Sequence, residues 1–489
     1  MGIFTRLKQF IEEAIHKLIP YKQIEQAGGF ESPVSADMIA ALNLWAQMYL
    51  GKAPWLEEDG MRNLNVAALI CSELSRQVTM EMKWNITGAK QNEAGEPQSN
   101  PRADFLAEQF RRCTGNVLRE KLEQGMAAGG FVVKPYPMHG QIYFDFSPDW
   151  CVYPVSFDDD KRITDVIFRD QVQEGKTIFT RLERHTVSGE DVIITQRCFK
   201  SQSPGTLGTE CPLTAVSAWA ELQPEQIIHN TSGQLLLGWY RVAAANTVDL
   251  DTVLGVSVFA KAIDCIRDAD EQYSRLMWEY KAKETAIDVD PSVLVPKAER
   301  GTDGIRYEMP QLNKRLFRAV DLGNDNTYNV FDPPIRDASL INGLNNILCR
   351  IEDLCGIARG TLSDPNAQAM TATQIMMLRQ RTYETIKSNQ ESLERCLRDV
   401  IYAMDIYTTA LHLAPQGDYD ASFEWDDSVI TDTNQQLNER IMLKNAGAMS
   451  AAELRQWYLG ETPAQAEAAV QKIAKEQMRG MMPDDGFPQ

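Results

Sequence analysis

The sequence predicts an α+β protein in which helices flank a run of antiparallel strands. Three observations support this fold class. Apolar residues recur at three- and four-residue spacing towards both ends of the chain. Between residues 131 and 199, strand-like segments alternate with turn signals at intervals of about ten residues. One stretch of about forty residues contains neither Pro nor Gly, which predicts an unusually long helix.

The chain begins with a predicted arm and short helices, over residues 1–60. Apolar residues from Ile3 to Ile19 recur at helical spacing, and Pro20 ends the pattern. An amphipathic helix of this kind suits a membrane surface or a docking partner. We favour the simpler interpretation, in which the arm packs on its own protein or on a neighbouring subunit. A further helix is expected from Ser35 to Leu50.

Residues 61–247 combine helices with the strand-rich region. Helices are predicted from Asn63 to Trp84 and from Arg102 to Ala128, the second ended by Gly129-Gly130. The strands that follow are rich in Val, Ile, Phe and Thr, as expected for an antiparallel sheet. We predict them over Phe131–Lys134, Gln141–Phe146, Cys151–Phe157, Thr164–Val172, Lys176–Val187 and Asp191–Phe199.

Two helices with a strand-rich insertion between them come next. Residues 248–286 carry a helix dense in charge, and residues 336–357 carry a second helix in which Arg350, Glu352 and Asp353 lie off the apolar stripe. Residues 287–335 show strand and turn signals, with a hairpin candidate at Gly301–Gly304. The narrow apolar seam of the first helix consists of Ile263, Ile266, Tyr273, Met277 and Tyr280.

A polar loop over residues 358–370 leads into the long helix, predicted over residues 371–414. Thr371 and Gln374 have the spacing of a capping box, which satisfies two orphan backbone donors at a helix start. A helix of about forty residues would extend roughly 60 Å at 1.5 Å per residue. Residues 415–478 are expected to form a strand and two helices, Thr433–Asn445 and Pro463–Met478, and residues 479–489 a disordered tail.

Composition and motifs argue against several functional classes. The net charge of −19 is unlike that of a protein that grips a phosphate backbone through a basic patch. The nine cysteines are scattered without a CxxC pair, which favours free, buried thiols in a reducing cytosol. No apolar run reaches transmembrane length, and no nucleotide-binding, hydrolase or metal-ligand motif is present. We therefore expect no enzyme, no cofactor, no metal and no membrane partner.

The order of elements, and several phrases within it, resemble the portal proteins of tailed bacteriophages, of the type found in siphophages of Gram-positive hosts and related prophages. The resemblance is strongest from Val330 to Leu411. Phe331-Asp-Pro-Pro-Ile-Arg336 leads into a helix ending Ile351-Glu-Asp-Leu-Cys-Gly-Ile357. Arg359-Gly-Thr-Leu-Ser363 and Met370-Thr-Ala-Thr-Gln374 follow in the family's order. The N-terminal third matches in architecture more than in sequence.

The resemblance implies a particular architecture and function. Portal proteins form a ring of about twelve subunits at one capsid vertex. Double-stranded DNA passes through the ring during packaging and ejection. The implied partners are the terminase large subunit, the major capsid and scaffolding proteins and a head–tail connector or adaptor protein. The implied location is the virion, after assembly in the host cytoplasm. The implied parts are a wing with its sheet (61–247), a two-helix stem (248–286 and 336–357), a small α/β clip (287–335), a tunnel loop (358–370), a long kinked wing helix (371–414) and a helical crown (415–478).

Two sets of residues are candidates for contact with DNA under this resemblance. The tunnel loop would present Thr361, Leu362, Ser363, Asp364, Pro365, Asn366, Ala367 and Gln368. The stem would present basic side chains, of which Lys261, Lys281, Lys283 and Arg350 are candidates. Solvated charges or salt bridges to the next subunit explain these four residues equally well.

Two alternative functions stay open at the level of sequence. One is a non-catalytic ring or scaffold protein, of a virion or of a cell, without a DNA channel. The other is a cytosolic enzyme of unrecognised type, which would have a concave pocket with convergent titratable groups.

Overall fold

The structure is a computed structural model that describes residues 19–58, 60–80, 82–89, 100–159, 161–203, 205–230, 232–284, 286–289, 297–301, 304–308, 317–319, 328–332, 334–365, 372–425 and 433–480. The predicted N-terminal helix up to residue 18, the capping residue Thr371 and residues 481–489 of the predicted tail lie outside this part of the chain.

The helices appear in three groups along the chain. Six precede or interrupt the first strands: α1 (Tyr21–Gly28), α2 (Ala36–Tyr49), α3 (Pro54–Glu58), α4 (Val66–Thr79), α5 (Pro101–Cys113) and α6 (Asn116–Ala128). Three belong to the central and later region: α7 (Ile263–Ala282), α8 (Asp337–Cys355) and α9 (Ala372–Ala410). Three lie near the C-terminus: α10 (Thr433–Asn445), α11 (Ala451–Leu459) and α12 (Pro463–Gly480).

Within the described residues the strands form five sheets, and all but one of the strand pairings with a defined register are antiparallel. The largest sheet has the order β4-β5-β6-β7-β8, with β9 also paired to β7, and a second has the order β10-β2-β3. Their strands are β2 (Gly130–Met138), β3 (Gln141–Pro148), β4 (Val152–Phe157), β5 (Ile163–Glu174), β6 (Thr177–Ser188), β7 (Asp191–Ser201), β8 (Thr209–Cys211), β9 (Glu225–His229) and β10 (Gly238–Arg241). The predicted α+β class and antiparallel region are thereby confirmed.

The remaining strands form small sheets. β1 (Met82–Gly88) pairs with β16 (Tyr419–Trp425). Between α7 and α8, one sheet has the order β14-β11-β15 and another pairs β12 with β13. These five strands are β11 (Ala286–Val289), β12 (Lys297–Gly301), β13 (Gly304–Glu308), β14 (Phe317–Ala319) and β15 (Tyr328–Phe331). Gly301 pairs with Gly304 across β12 and β13, which agrees with the predicted hairpin.

The long helix α9 packs against strands of two different sheets. Ala403 and Tyr407 pack in one apolar cluster with Val132 of β2 and with Val166 and Phe168 of β5. The same half of the helix buries a continuous face, made of Leu393, Cys396, Leu397, Val400, Ile401 and Met404. This periodic apolar stripe explains why so long a helix is stable, because packing rather than propensity provides most helix stability.

The chain divides into two compact units. The larger contains residues 1–80 and 84–423, and the smaller contains residues 81–83 and 424–489. In the smaller unit, Ser450 and Glu453 form a capping box at the start of α11. The Arg440 guanidinium lies 4.3 Å from the centre of the Trp457 ring, and Arg455 pairs with Glu461 at 2.7 Å.

Four predictions about elements were wrong. The helix predicted to reach Trp84 ends at Thr79, because the following residues join β1, where Trp84 packs edge-on against Phe110. The helix predicted over residues 102–128 is two helices that meet at Thr114-Gly115, since Gly disfavours a helix interior. Helix α11 was not predicted. Residues 479 and 480, assigned to the tail, complete α12.

Candidate functional site

Helices α7 and α8 pack against each other as an antiparallel pair, which we call the stem pair. The Gln272 side chain donates to the Leu340 carbonyl at 3.2 Å, and residue 279 lies beside residue 336. Gly343 allows close approach, since a Cβ there would lie 3.2 Å from the Gln272 amide nitrogen. The buried face of α7 is formed by Ile266, Ala269, Asp270, Leu276 and Glu279. The predicted seam was therefore only partly right: Ile266 is buried, whereas Tyr280 is exposed.

At one end of the stem pair, Glu279 forms ion pairs with Lys283 and Arg336, and we call these three residues the ionic joint. Glu279 is buried, and its carboxylate accepts hydrogen bonds from Arg336 Nε and Nη2 at 3.2 and 3.0 Å. Lys283 Nζ lies 2.6 Å from the same carboxylate and also donates to the Pro334 carbonyl at 2.7 Å. The Arg336 and Lys283 hydrogen bonds lower the pKa of Glu279 to about 2. The joint therefore stays ionised at any physiological pH.

A second buried carboxylate ties the other half of α7 to the N-terminal helices. Asp270 accepts a hydrogen bond from Trp55 Nε1 at 3.0 Å and another from the Leu64 backbone at 2.8 Å. Burial raises the pKa of Asp270, and these two bonds offset part of that effect. Two of the many charged residues of α7, Asp270 and Glu279, are therefore buried and bind neighbouring segments of the chain.

The strand-rich insertion is attached to the stem pair by two neighbouring chain segments. Ala286, just after α7, is the register partner of Phe331, which precedes α8. The incoming and outgoing strands β11 and β15 are therefore adjacent and antiparallel. The ionic joint of Glu279, Lys283 and Arg336 lies immediately on the stem side of this attachment.

At the opposite end, α8 passes into a tightly bonded loop. Gly356 adopts a left-handed conformation with φ of 70° and ends the helix. The Glu352 side chain is fully buried, and its carboxylate accepts hydrogen bonds from the Leu362 amide at 2.6 Å, the Ser363 amide at 2.9 Å and the Ser363 hydroxyl at 2.7 Å. The prediction that Glu352 lies off the buried stripe was wrong, because the chain after the helix folds back over it.

An ion pair near the surface supports the same turn. Arg359 makes two hydrogen bonds to the Asp353 carboxylate, at 3.2 and 2.7 Å, and they lower the pKa of Asp353. Arg381, on the long helix α9, donates to the Asp353 backbone carbonyl at 2.7 Å. The loop is thereby linked to α8, and α8 is linked to α9.

The four predicted basic residues lie at the two ends of the stem pair. Lys281 is exposed in the last turn of α7, next to the ionic joint that contains Lys283. Lys261 is exposed in the turn before α7, and Arg350 is exposed near the end of α8. Twenty residues separate Lys261 from Lys281, or about 30 Å along a helix. Lys281 and Lys283 therefore lie at the same end of the stem pair. Lys283 differs from Lys281 in binding Glu279 and the Pro334 carbonyl.

The predicted loop residues fall into three groups. Thr361, Asp364 and Pro365 are exposed, although the Thr361 hydroxyl donates to the Ala358 carbonyl at 2.6 Å. Ser363 is buried and Leu362 is half-buried. Asn366, Ala367 and Gln368 lie outside the described residues. Sequence reasoning missed Glu352 and Arg336, because an acidic or basic residue within a helix ordinarily indicates a solvated face.

Other kinds of site were searched for in the described part of the chain. No group of three or more His, Cys, Asp or Glu side chains there is arranged to hold a metal ion. Within the same residues, no helix is both long and apolar enough to cross a bilayer.

Comparison with known families identifies the class of protein that this fold and stem pair define. The family model described as "Phage portal protein, SPP1 Gp6-like" matches residues 113–481, which is well over half of the chain. The chain is therefore a phage portal protein. Within that class it belongs to the SPP1 Gp6-like family. No individual curated protein matches the chain by sequence.

Proposed function

We propose that this portal protein forms a ring of about twelve subunits at one capsid vertex, through which double-stranded DNA is packaged and later ejected. The observation that carries the proposal is the stem pair itself. It is an antiparallel helical hairpin with a strand-rich insertion at one end and a bonded loop followed by a long helix at the other, in a chain of the portal family.

The charge of the chain suits a channel that must release DNA as readily as it admits it. DNA is a dense polyanion, so a strongly basic wall would hold it and stall its movement. The chain has a net charge of −19, and α7 and the turn before it expose both signs, including Lys261, Asp264, Asp268 and Lys281. Sparse basic side chains on an acidic wall favour brief, sequence-independent contacts.

Within the stem pair, we assign the DNA-facing role to Lys261, Lys281 and Arg350. All three are exposed, so their side chains are available to a phosphate. Lys283 has a different role in this proposal, because it holds Glu279 and the Pro334 carbonyl. The exposed loop residues Thr361, Asp364 and Pro365, with Asn366, Ala367 and Gln368, form the narrow part of the channel.

Exposed apolar side chains support self-association. Trp278 on α7 is 68% exposed, and Ile341 on α8 is 45% exposed. In the smaller unit, Met442 and Tyr458 are 70% and 57% exposed. Contact with another subunit would remove these apolar side chains from water, which favours association. A neighbouring copy in the ring is the partner that the family suggests.

The other partners follow from the parts of the ring. The strand-rich insertion is the clip, which the terminase large subunit grips during packaging and the head–tail connector or adaptor protein grips afterwards. The major capsid and scaffolding proteins surround the wing as the ring is assembled in the host cytoplasm, and the ring stays in the virion. The crown, within residues 415–478, faces the capsid interior. The role is structural and uses no cofactor.

Negative-stain electron microscopy of the purified protein tests the proposal most directly. We expect rings with a central hole of about 20 Å or more, wide enough for duplex DNA. Rings without a hole would instead support a scaffold protein. Uniform small particles at micromolar concentration would contradict the proposal.

A further inference from the structure

Glu352 binds the chain segment that follows its own helix more extensively than a helix-terminal residue needs to. Its carboxylate accepts three hydrogen bonds, two from the Leu362 and Ser363 amides and one from the Ser363 hydroxyl. Its backbone carbonyl accepts two more, from the Gly356 and Ile357 amides. One residue of α8 therefore receives five hydrogen bonds from residues 356–363.

The bonds around Ser363 continue this arrangement. While the Ser363 hydroxyl donates to Glu352, it also accepts a hydrogen bond from the Gly360 amide at 3.0 Å. The Asp364 amide donates to Asn345 Oδ1 at 2.7 Å, which gives the loop a second attachment two turns back on α8. The loop from Gly356 to Asp364 is thus bonded to the end of the helix at several points.

Packing alone does not require a carboxylate at this position. Glu352 is 0% exposed, and an ionised group without water is retained only where donors compensate it. Bonds from amides and a hydroxyl to a carboxylate are charge-assisted and about twice as strong as neutral ones. The charge therefore makes the attachment between helix and loop stiffer than an apolar contact would.

We propose that Glu352 is a positioning residue that makes the second stem helix and the base of the tunnel loop move as one body, so that any displacement of α8 is transmitted to the loop at the narrow part of the channel. The proposal rests on the proposed function, because the loop has this role only in a DNA channel. The covalent chain from Cys355 to Leu362 would otherwise allow the two to move independently.

Hydrogen exchange in assembled rings tests the attachment. Glu352→Ala removes all three side-chain bonds, and Ser363→Ala removes one of them. We expect the peptide that contains Leu362 and Ser363 to exchange at least tenfold faster in Glu352→Ala, and by a smaller factor in Ser363→Ala. Glu352→Gln keeps the size of the side chain and provides a variant that folds if the alanine variant does not. Glu391→Gln is the matched control, since it makes the same amide substitution at an exposed glutamate of α9, outside the loop and the end of α8.

DNA packaging by the same rings tests the role. We expect Glu352→Ala and Glu352→Gln to form rings of normal size but to package less DNA than wild type, while Glu391→Gln packages normally. Unchanged exchange in both Glu352 variants would overturn the attachment. Faster exchange with normal packaging would overturn the positioning role and leave the channel intact. If wild-type protein forms no ring with a hole, the proposed function fails instead, and exchange in the unassembled chain still reports on the attachment.

Discussion

At the scale of single residues, buried charged groups connect distant parts of this chain. Arg102 in α5, Asp149 between β3 and β4, Asp270 and Glu279 in the stem pair and Glu352 in α8 are each buried and hydrogen-bonded to another segment. Burying a charge is costly unless partners compensate it, so each of these residues fixes one particular arrangement of its neighbours.

Arg102 gives the clearest stability prediction. It is 2% exposed, and its guanidinium donates to the Asp405 carboxylate at 2.6 Å, the Asp405 carbonyl at 2.5 Å and the Ala414 carbonyl at 3.3 Å, and also to the Thr409 hydroxyl. Arg102→Ala leaves these acceptors without their donor, so we expect a loss of roughly 2–4 kcal/mol in the free energy of unfolding. Denaturant unfolding measures it.

The control for this prediction is an arginine in an exposed pair. Arg76 lies 2.5 Å from Glu73 within one helix and is 44% exposed. Arg76→Ala should cost about 0–1 kcal/mol, as for other exposed pairs. Equal losses in the two variants would show that the burial of Arg102 contributes nothing.

Asp149 predicts a dependence of stability on pH. It is fully buried and accepts a hydrogen bond from Trp239 Nε1 at 3.1 Å, and burial raises its pKa to about 7. Because the pKa is higher in the folded than in the unfolded chain, the protonated carboxyl stabilises the fold at low pH. This stabilisation is complete below the unfolded pKa of about 3.9 and is lost as pH rises through about 7.

Asp149→Asn should remove this dependence. Wild type should lose about 2–3 kcal/mol relative to the Asn variant between pH 5 and pH 8. Thermal unfolding of both proteins across this range measures the difference between their midpoints. A difference that is constant with pH would mean that Asp149 does not titrate there.

The sequence could not have shown these roles, since its local pattern marks a charged residue as solvated. Glu352 lies three residues before Cys355 at the end of a helix, where an exposed acid is equally plausible. What buries it is the return of Leu362 and Ser363, a contact between residues ten or more apart. By contrast, the free, mostly buried cysteines were expected from their number and spacing, and six of nine are buried.

At the scale of elements, the strands and long helices were the easiest features to predict. Alternation and turn residues are local signals, and each of the six predicted strands from residue 131 to 199 overlaps a strand of the structure. The uninterrupted pattern of α9 was likewise predicted, and the helix spans Ala372–Ala410. Failures occurred where a distant pairing determined the result, as at Trp84, or where one Gly divided a continuous pattern, as at Gly115.

The close packing of α9 against β10 leads to a prediction about these two elements. A Cβ added at Gly238 in β10 would lie 2.2 Å from the Cys396 carbonyl oxygen and 2.6 Å from a Val400 methyl group. Because the closest atom belongs to the helix backbone, Gly238→Ala should push α9 away from β10 and strongly destabilise the fold. We expect the variant to unfold at a clearly lower temperature or to aggregate on expression.

Gly115→Ala is the matched control for this substitution. Its added Cβ would lie 3.4 Å from the nearest atom, an ordinary contact, and its φ is −64°. The control should therefore stay within a few degrees of the wild-type midpoint. If Gly238→Ala were equally mild, α9 and β10 would not be packed as closely as the structure has them.

At the scale of the whole molecule, the proposed function depends on how copies of the stem pair would surround DNA. Lys261 and Lys281 lie near opposite ends of α7, so a ring would present two levels of basic side chains on an otherwise mixed or acidic surface. Neither level is dense enough to hold DNA tightly. The ring would therefore act by confinement and weak contact, and moderate salt should weaken those contacts further.

Reversal of one charge tests this arrangement. Lys281→Glu should leave ring formation unchanged and reduce the amount of nuclease-protected DNA severalfold in a packaging assay, because a repulsive group replaces a favourable contact at every subunit. Lys22→Glu makes the same change in charge at an exposed position on α1 and should package normally. If the two variants package equally well, Lys281 does not face DNA.

The attachment of the strand-rich insertion has a consequence for the modular design of the chain. The two chain segments that connect the insertion to the stem pair are adjacent, with Ala286 paired to Phe331. The ionic joint next to them is formed by residues that lie outside the insertion. The two helices of the stem pair are thus held together at this end by residues outside the insertion. A short linker could bridge the two connections, or a foreign domain whose ends lie side by side could be inserted there. The insertion, which is the proposed docking part, could in this way be exchanged without redesign of the helices that carry it.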